Sequence, residues 1–272
     1  MKWQLKGKRP DDWDKQKHMI RFIRKTTVIA ELELRKILHD PTEILLRGVQ
    51  PALWLLIFGQ VFQRMHPIND SIPYIDFMTP GILAQSVLFI SIFFGIAIIW
   101  ERDLGLTQKF LVTPTPRTAL VLGKALSAGL RSLPVMLIIY ILAALLKVHL
   151  NLHPLAILTV ALTVILGAVL FSTFSLIIAC LVKTRERFMG IGQVLTMPLF
   201  FASNAIYPIN IMPRWLQVLS HGNPLTFMIN ILRHNMLHSS IAVNDLPDTG
   251  LLFLISSFLV VIGGSLYKRV VT

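Results

Sequence analysis

Few residues in this sequence have the spacing of a catalytic or metal-binding set. Two histidine pairs stand four apart, His149 with His153 and His234 with His238. That spacing puts two imidazoles on one face of a helix, where they can bind zinc. Only the second pair falls in a predicted helix, and no third ligand accompanies either. All four therefore read as solvated or helix-capping histidines, and no metal is expected. Gly123-Lys124 ends like a phosphate-binding loop, but Ala125 follows where Ser or Thr is needed, and the earlier glycine is missing. The sequence has no G-x-S-x-G nucleophile elbow and no H-E-x-x-H helix. Its single cysteine, Cys180, lies inside an apolar run. It excludes an intrachain disulfide and reads as a small buried apolar residue. Gln85, Gln193, Asn204 and Asn210 are polar residues within or beside apolar runs. They either line a cavity or hydrogen-bond between helices.

The elements that must position these residues are membrane spans. The chain is 54% hydrophobic and 15% charged, with a mean hydropathy of +0.66, against roughly 25% charged in soluble domains. Its uncharged runs approach the roughly 20 residues that a membrane-crossing helix needs. Six spans are predicted, at about Glu43 to Phe62, Phe77 to Trp100, Ala125 to Leu146, Pro154 to Val182, Phe188 to Tyr207 and Gly250 to Tyr267. Residues 1–42 form a cytoplasmic segment, and residues 43–272 the six-span domain. Within the first, His18 to Leu38 places Ile20, Ile23, Thr27, Ala30, Leu34 and Ile37 on one helical stripe, with basic residues on the other faces. This predicts an amphipathic helix lying in the interface. Asp40-Pro41 ends it. The stretch from Pro208 to Pro247 is too polar to span and too apolar for a plain loop. A helical stripe at Leu225, Met228, Ile231, Leu232 and Met236 predicts helices dipping part-way into the bilayer. The fold class is all-α integral membrane.

Charge fixes the sidedness. With six spans, 22 of the 26 Lys and Arg lie on one face and 4 on the other, while 10 of the 14 Asp and Glu share the basic face. The net charge of +12 is thus a membrane asymmetry rather than a nucleic-acid footprint, and the basic face with both termini is cytoplasmic. That face includes Glu101 to Lys124, a polar segment opening with Glu101-Arg102-Asp103 between the second and third spans. No acidic residue is clearly placed at mid-membrane, as ion-coupled carriers usually need. An energy source outside this chain is expected.

Two motifs carry a resemblance. The first is Glu101-Arg102-Asp103-x-Gly105, then Leu111, Thr113-Pro114, Arg117 and Gly123-Lys124. The second is Tyr207-Pro208, Met212-Pro213-x-Trp215-Leu216 and Asn223-Pro224-Leu225-Thr226. In order and spacing, from about residue 20 onward, the chain resembles the permease subunit of type-2 ABC exporters, nearest the drug-resistance and nodulation-factor branch. It departs from the family where Gly105 leads to Leu106-Thr107-Gln108-Lys109 instead of a Thr-Leu-Glu type run.

The resemblance implies a bacterial inner-membrane exporter of a drug, lipid or glycolipid-like cargo. Two permease copies would meet two ATPase subunits, with ATP and magnesium held by the ATPase and no cofactor in this chain. Glu101, Arg102, Asp103, Gly105, Thr113 and Pro114 are then the expected coupling residues. Tyr207, Pro208, Met212, Pro213, Trp215, Asn223 and Pro224 would form an external gate, the alternative being a static plug, and Gln85, Gln193, Asn204 and Asn210 are candidates to line the passage. The rival readings are a polytopic membrane enzyme, for which no catalytic set is well placed, and a passive channel or scaffold, which has no need of the cytoplasmic motif.

Overall fold

The computed structural model describes residues 41–65, 73–104, 117–182, 184–237 and 245–267. The predicted amphipathic helix from His18 to Leu38 lies outside them, as do Gly105, Thr113, Pro114 and His238. All six apolar runs are helical. The first is α1 (Pro41–Leu53), a π-helical turn (Trp54–Gly59) and α2 (Gln60–Met65). The next three are α3 (Tyr74–Asp103), α4 (Arg117–Leu145) and α5 (Pro154–Leu181). The fifth is α6 (Arg185–Phe201) and the sixth α9 (Leu246–Leu266). Between these last two lie a 3-10 turn (Ile209–Ile211), α7 (Arg214–His221) and α8 (Pro224–Leu237). Four helices, α3, α4, α5 and α9, are each long and apolar enough to cross a membrane by length and composition.

The boundaries differ from the sequence reading in two informative places. The segment from Glu101 to Lys124 is not one polar connection. Glu101-Arg102-Asp103 completes α3, and Arg117 to Lys124 is already α4. With 30 residues, α3 is about 45 Å long, beyond the roughly 30 Å of hydrocarbon, so charged ends are compatible with a span. The fifth helix stops at Phe201 rather than Tyr207. Its last carbonyls are taken by the Ala202 N–H, the Ser203 hydroxyl and the Tyr207 hydroxyl, which donate to Pro198, Phe200 and Phe201.

Helices α3 and α5 form the spine, packed along their lengths, with α4, α8 and α9 around them. The main core gathers Met78, Ile82, Leu83, Val87, Val164, Phe171, Met228 and Leu232, all fully enclosed. The predicted stripe of α8 turns into this core: Leu225, Met228, Ile231, Leu232 and Met236 are buried. Exposed apolar residues lie outside, among them Leu137 and Ile141 of α4, Leu158 and Leu162 of α5, and Phe253 and Phe258 of α9. Such a surface suits lipid rather than water.

Close backbone approach fixes one junction. An added Cβ on Gly81 of α3 would sit 2.7 Å from the Cα of Ala205 and against its carbonyl. Only glycine lets the turn after α6 cross α3 there.

Candidate functional site

Consecutive residues on an α-helix are separated by about 100°, so three charged residues in a row fan out toward three neighbours. Glu101, Arg102 and Asp103 occupy the last turn of α3. Glu101 forms an ion pair with Lys124, a buried residue of α4. The Arg102 guanidinium donates to the Val182 carbonyl at 3.1 Å. Val182 is the C-cap of α5, where the helix dipole favours a cation. Asp103 accepts from two nitrogens of Arg185, Nη2 at 2.8 Å and Nε at 3.1 Å. Arg185 opens α6, and its guanidinium lies 4.0 Å from the Trp100 ring. Beneath these contacts, Ile98, Ile99, Leu120, Val121, Leu176, Ala179, Cys180, Phe188 and Tyr267 form a second apolar cluster. It joins the same four helices to the end of α9.

At the other end of α3 is a polar network. The half-buried Arg233 of α8 donates to the carbonyls of Asn204 at 2.7 Å and Phe77 at 3.3 Å, with its guanidinium 3.9 Å from the Phe77 ring. Asn204 donates to Asn230 at 2.7 Å, and Asn230 to Asp248 of α9 at 3.0 Å. Asn235 donates to Asp245 at 2.9 Å. Burial pushes the Asp245 carboxyl above its ordinary value, while the nearby His234 and the Asn235 hydrogen bond act in the opposite sense. The buried Asp76 carboxylate pairs with His149 at 2.9 Å, and His153 caps α5 by accepting from the Leu155 N–H at 3.4 Å. The first histidine pair is thus divided between two structural roles.

The structure divides the expected gate residues. Asn223 caps α8, accepting from the Leu225 N–H at 3.0 Å, and donates to the Leu199 carbonyl at 2.7 Å. Pro224 is the first residue of that helix. Pro208 is the N-cap of the 3-10 turn, and Pro213 that of α7. Met212 is buried, whereas Trp215 is 66% exposed, beside exposed Ile211, Val218 and Leu219.

The four passage candidates do not converge. Asn204 belongs to the polar network, while Gln193 and Asn210 are exposed. Gln85 is buried against a groove of about 340 Å³ between α1 and α3. Gln50, Ser86, Phe89 and Phe93 also line that groove. Arg233, Lys124, Arg185 and Asp76 were not among the expected site residues. Their partners lie 23 to 156 positions away at the extremes of the contacts above, and no local spacing marks such pairs.

Residues 24–237 match the protein family described as ABC-2 type transporter. A putative transport permease, ycf38, of Cyanophora paradoxa is 29% identical over 80% of this chain and 76% of its own length. The inner membrane transport permease YadH of Escherichia coli K12 is 28% identical over 72% of this chain and 74% of its own. The daunorubicin resistance ABC transporter permease protein DrrB1 of Streptomyces coeruleorubidus is 23% identical, covering 85% and 80%.

Proposed function

The chain belongs to the ABC-2 type transporter family as a membrane-spanning permease, and from that premise we propose that it exports a hydrophobic or lipid-linked compound by alternating access, driven by a separate ATPase subunit. The observation that carries this reading is the family match across residues 24–237 in a sequence that has no phosphate-binding loop of its own. ATP and magnesium reside on the ATPase. Two copies of the permease form the passage in a bacterial inner membrane, with both termini in the cytoplasm. The drug-resistance relative supports the outward direction, and the inner-membrane relative supports the location.

The ATPase acts on the connection between α3 and α4. Glu101, Arg102 and Asp103 stand at its root, and Gly105, Thr113 and Pro114 lie within it. At the outer end, α8 is fixed by Arg233 and Asn230, and the segment from Tyr207 to Asn223 with α7 is the external gate. Among the described residues, α7 is tied to α8 at its C-terminal end by the buried Ser220, whose hydroxyl lies 3.3 Å from that of Thr226, while Trp215, Val218 and Leu219 are exposed, so the swing pivots at that end. The groove beside Gln85 offers amides, a hydroxyl and two phenyl rings to a passing cargo. It has no charged lining residue, which suits an uncharged portion of a hydrophobic compound.

The test is co-expression with an ABC ATPase subunit from the same genome. The expected outcome is an ATPase retained on the purified permease, with ATP hydrolysis in lipid that rises when cargo is added. A permease that moves cargo without any ATPase would refute the reading.

A further inference from the structure

The Glu101-Arg102-Asp103 run is spent inside the chain. Each of its three side chains reaches a different helix: Lys124 on α4, the Val182 carbonyl ending α5, and Arg185 opening α6. These contacts surround the last turn of α3, directly over the apolar cluster of Ile98, Leu120, Leu176, Phe188 and Tyr267. A charged triplet meant to engage a partner would project away from its own bundle. This one is directed across it, and Lys124 is 6% exposed. Partly buried charge pairs fix geometry, since misregistration leaves a desolvated charge without its counter-ion.

We propose that Glu101, Arg102 and Asp103 are positioning residues that clamp the ends of α4, α5 and α6 to α3, rather than contact residues for the ATPase. A force on the end of α3 then moves four helix ends as one body. The inference rests on the ATPase-driven reading above and assigns the motif a different role within it.

The test is a charge exchange in the full permease co-purified with its ATPase and reconstituted in lipid. Cys180 is replaced by alanine, and Val218→Cys, at an exposed site on α7, serves as a reporter for a membrane-impermeant maleimide. In this background, labelling is expected to change when ATP and vanadate are added. Glu101→Lys alone and Lys124→Glu alone should each retain the ATPase yet reduce that nucleotide-dependent change about tenfold, and the two together should restore it, as expected for a directly coupled pair. The inference is overturned if Glu101→Lys releases the ATPase, Lys124→Glu does not, and the exchange fails to recover it. If the background retains the ATPase but labelling does not respond to nucleotide, the gate role given to α7 above is refuted, and the same exchange is then read from ATP hydrolysis, where failure of the double variant to recover the loss of the single ones overturns the inference. Failure of the background to retain any ATPase would instead refute the function proposed above. If the buried exchange does not fold, Asp103→Arg with Arg185→Asp poses the same question at a more exposed pair, whose side chains are 39% and 38% accessible.

Discussion

At Gly81, the backbone of α3 meets the backbone of the turn after α6, with the Ala205 carbonyl carbon 2.9 Å from where a Cβ would stand. Backbone cannot yield as a side chain does. Gly81→Ala is therefore expected to destabilise the protein by about 3 kcal/mol, the upper part of the usual range for overpacking. The melting temperature in detergent should fall clearly, and an unchanged value would show that the two segments separate easily. Glycine residues are visible in any sequence, but this one looks like the many others in apolar helices. Its role depends on a segment more than a hundred positions away. The charged triplet is the opposite case: its residue types announce a site, while the direction of each side chain depends on Lys124, Val182 and Arg185, whose nearness follows from the packing of four helices.

Among the elements, α8 is held on two sides. Its apolar stripe is buried in the core, and Arg233 binds carbonyls of both α3 and the turn after α6. Arg233→Met removes charge-assisted hydrogen bonds and is expected to cost about 2 kcal/mol. Hydrogen exchange should accelerate across residues 202–207 while α9 stays protected; uniform loosening of both would contradict the stapling role. The stripe of α8 was legible because helical periodicity is a local property. The staple was not, because one arginine in a polar stretch resembles any surface cation.

The first apolar run illustrates the same limit. Pro51 flags an interruption, since it has no N–H for the helical ladder. The helix nevertheless continues through Leu53 before widening into the π-helical turn from Trp54 to Gly59. There Trp54 and Phe58 stack at 4.4 Å, and a ring series continues through Phe62 to Tyr74. Tyr74 in turn donates to the Ile206 carbonyl at 3.0 Å. Neither the altered helical register nor its aromatic contacts can be read from hydropathy.

At the scale of the molecule, an all-helical bundle with charged residues at the ends of long apolar helices was legible because hydrocarbon admits few alternatives to satisfied backbone. The bundle is a permease of the ABC-2 type transporter family, and the proposed mechanism requires the α3–α4 connection to face the compartment that supplies ATP. The most direct test is labelling of Lys109→Cys, in a background with Cys180 replaced, by an impermeant maleimide in vesicles of known orientation. The account predicts reaction only in inside-out vesicles, with protection when the ATPase subunit is bound. Reaction from the outer face, or equal reaction with and without bound ATPase, would contradict it.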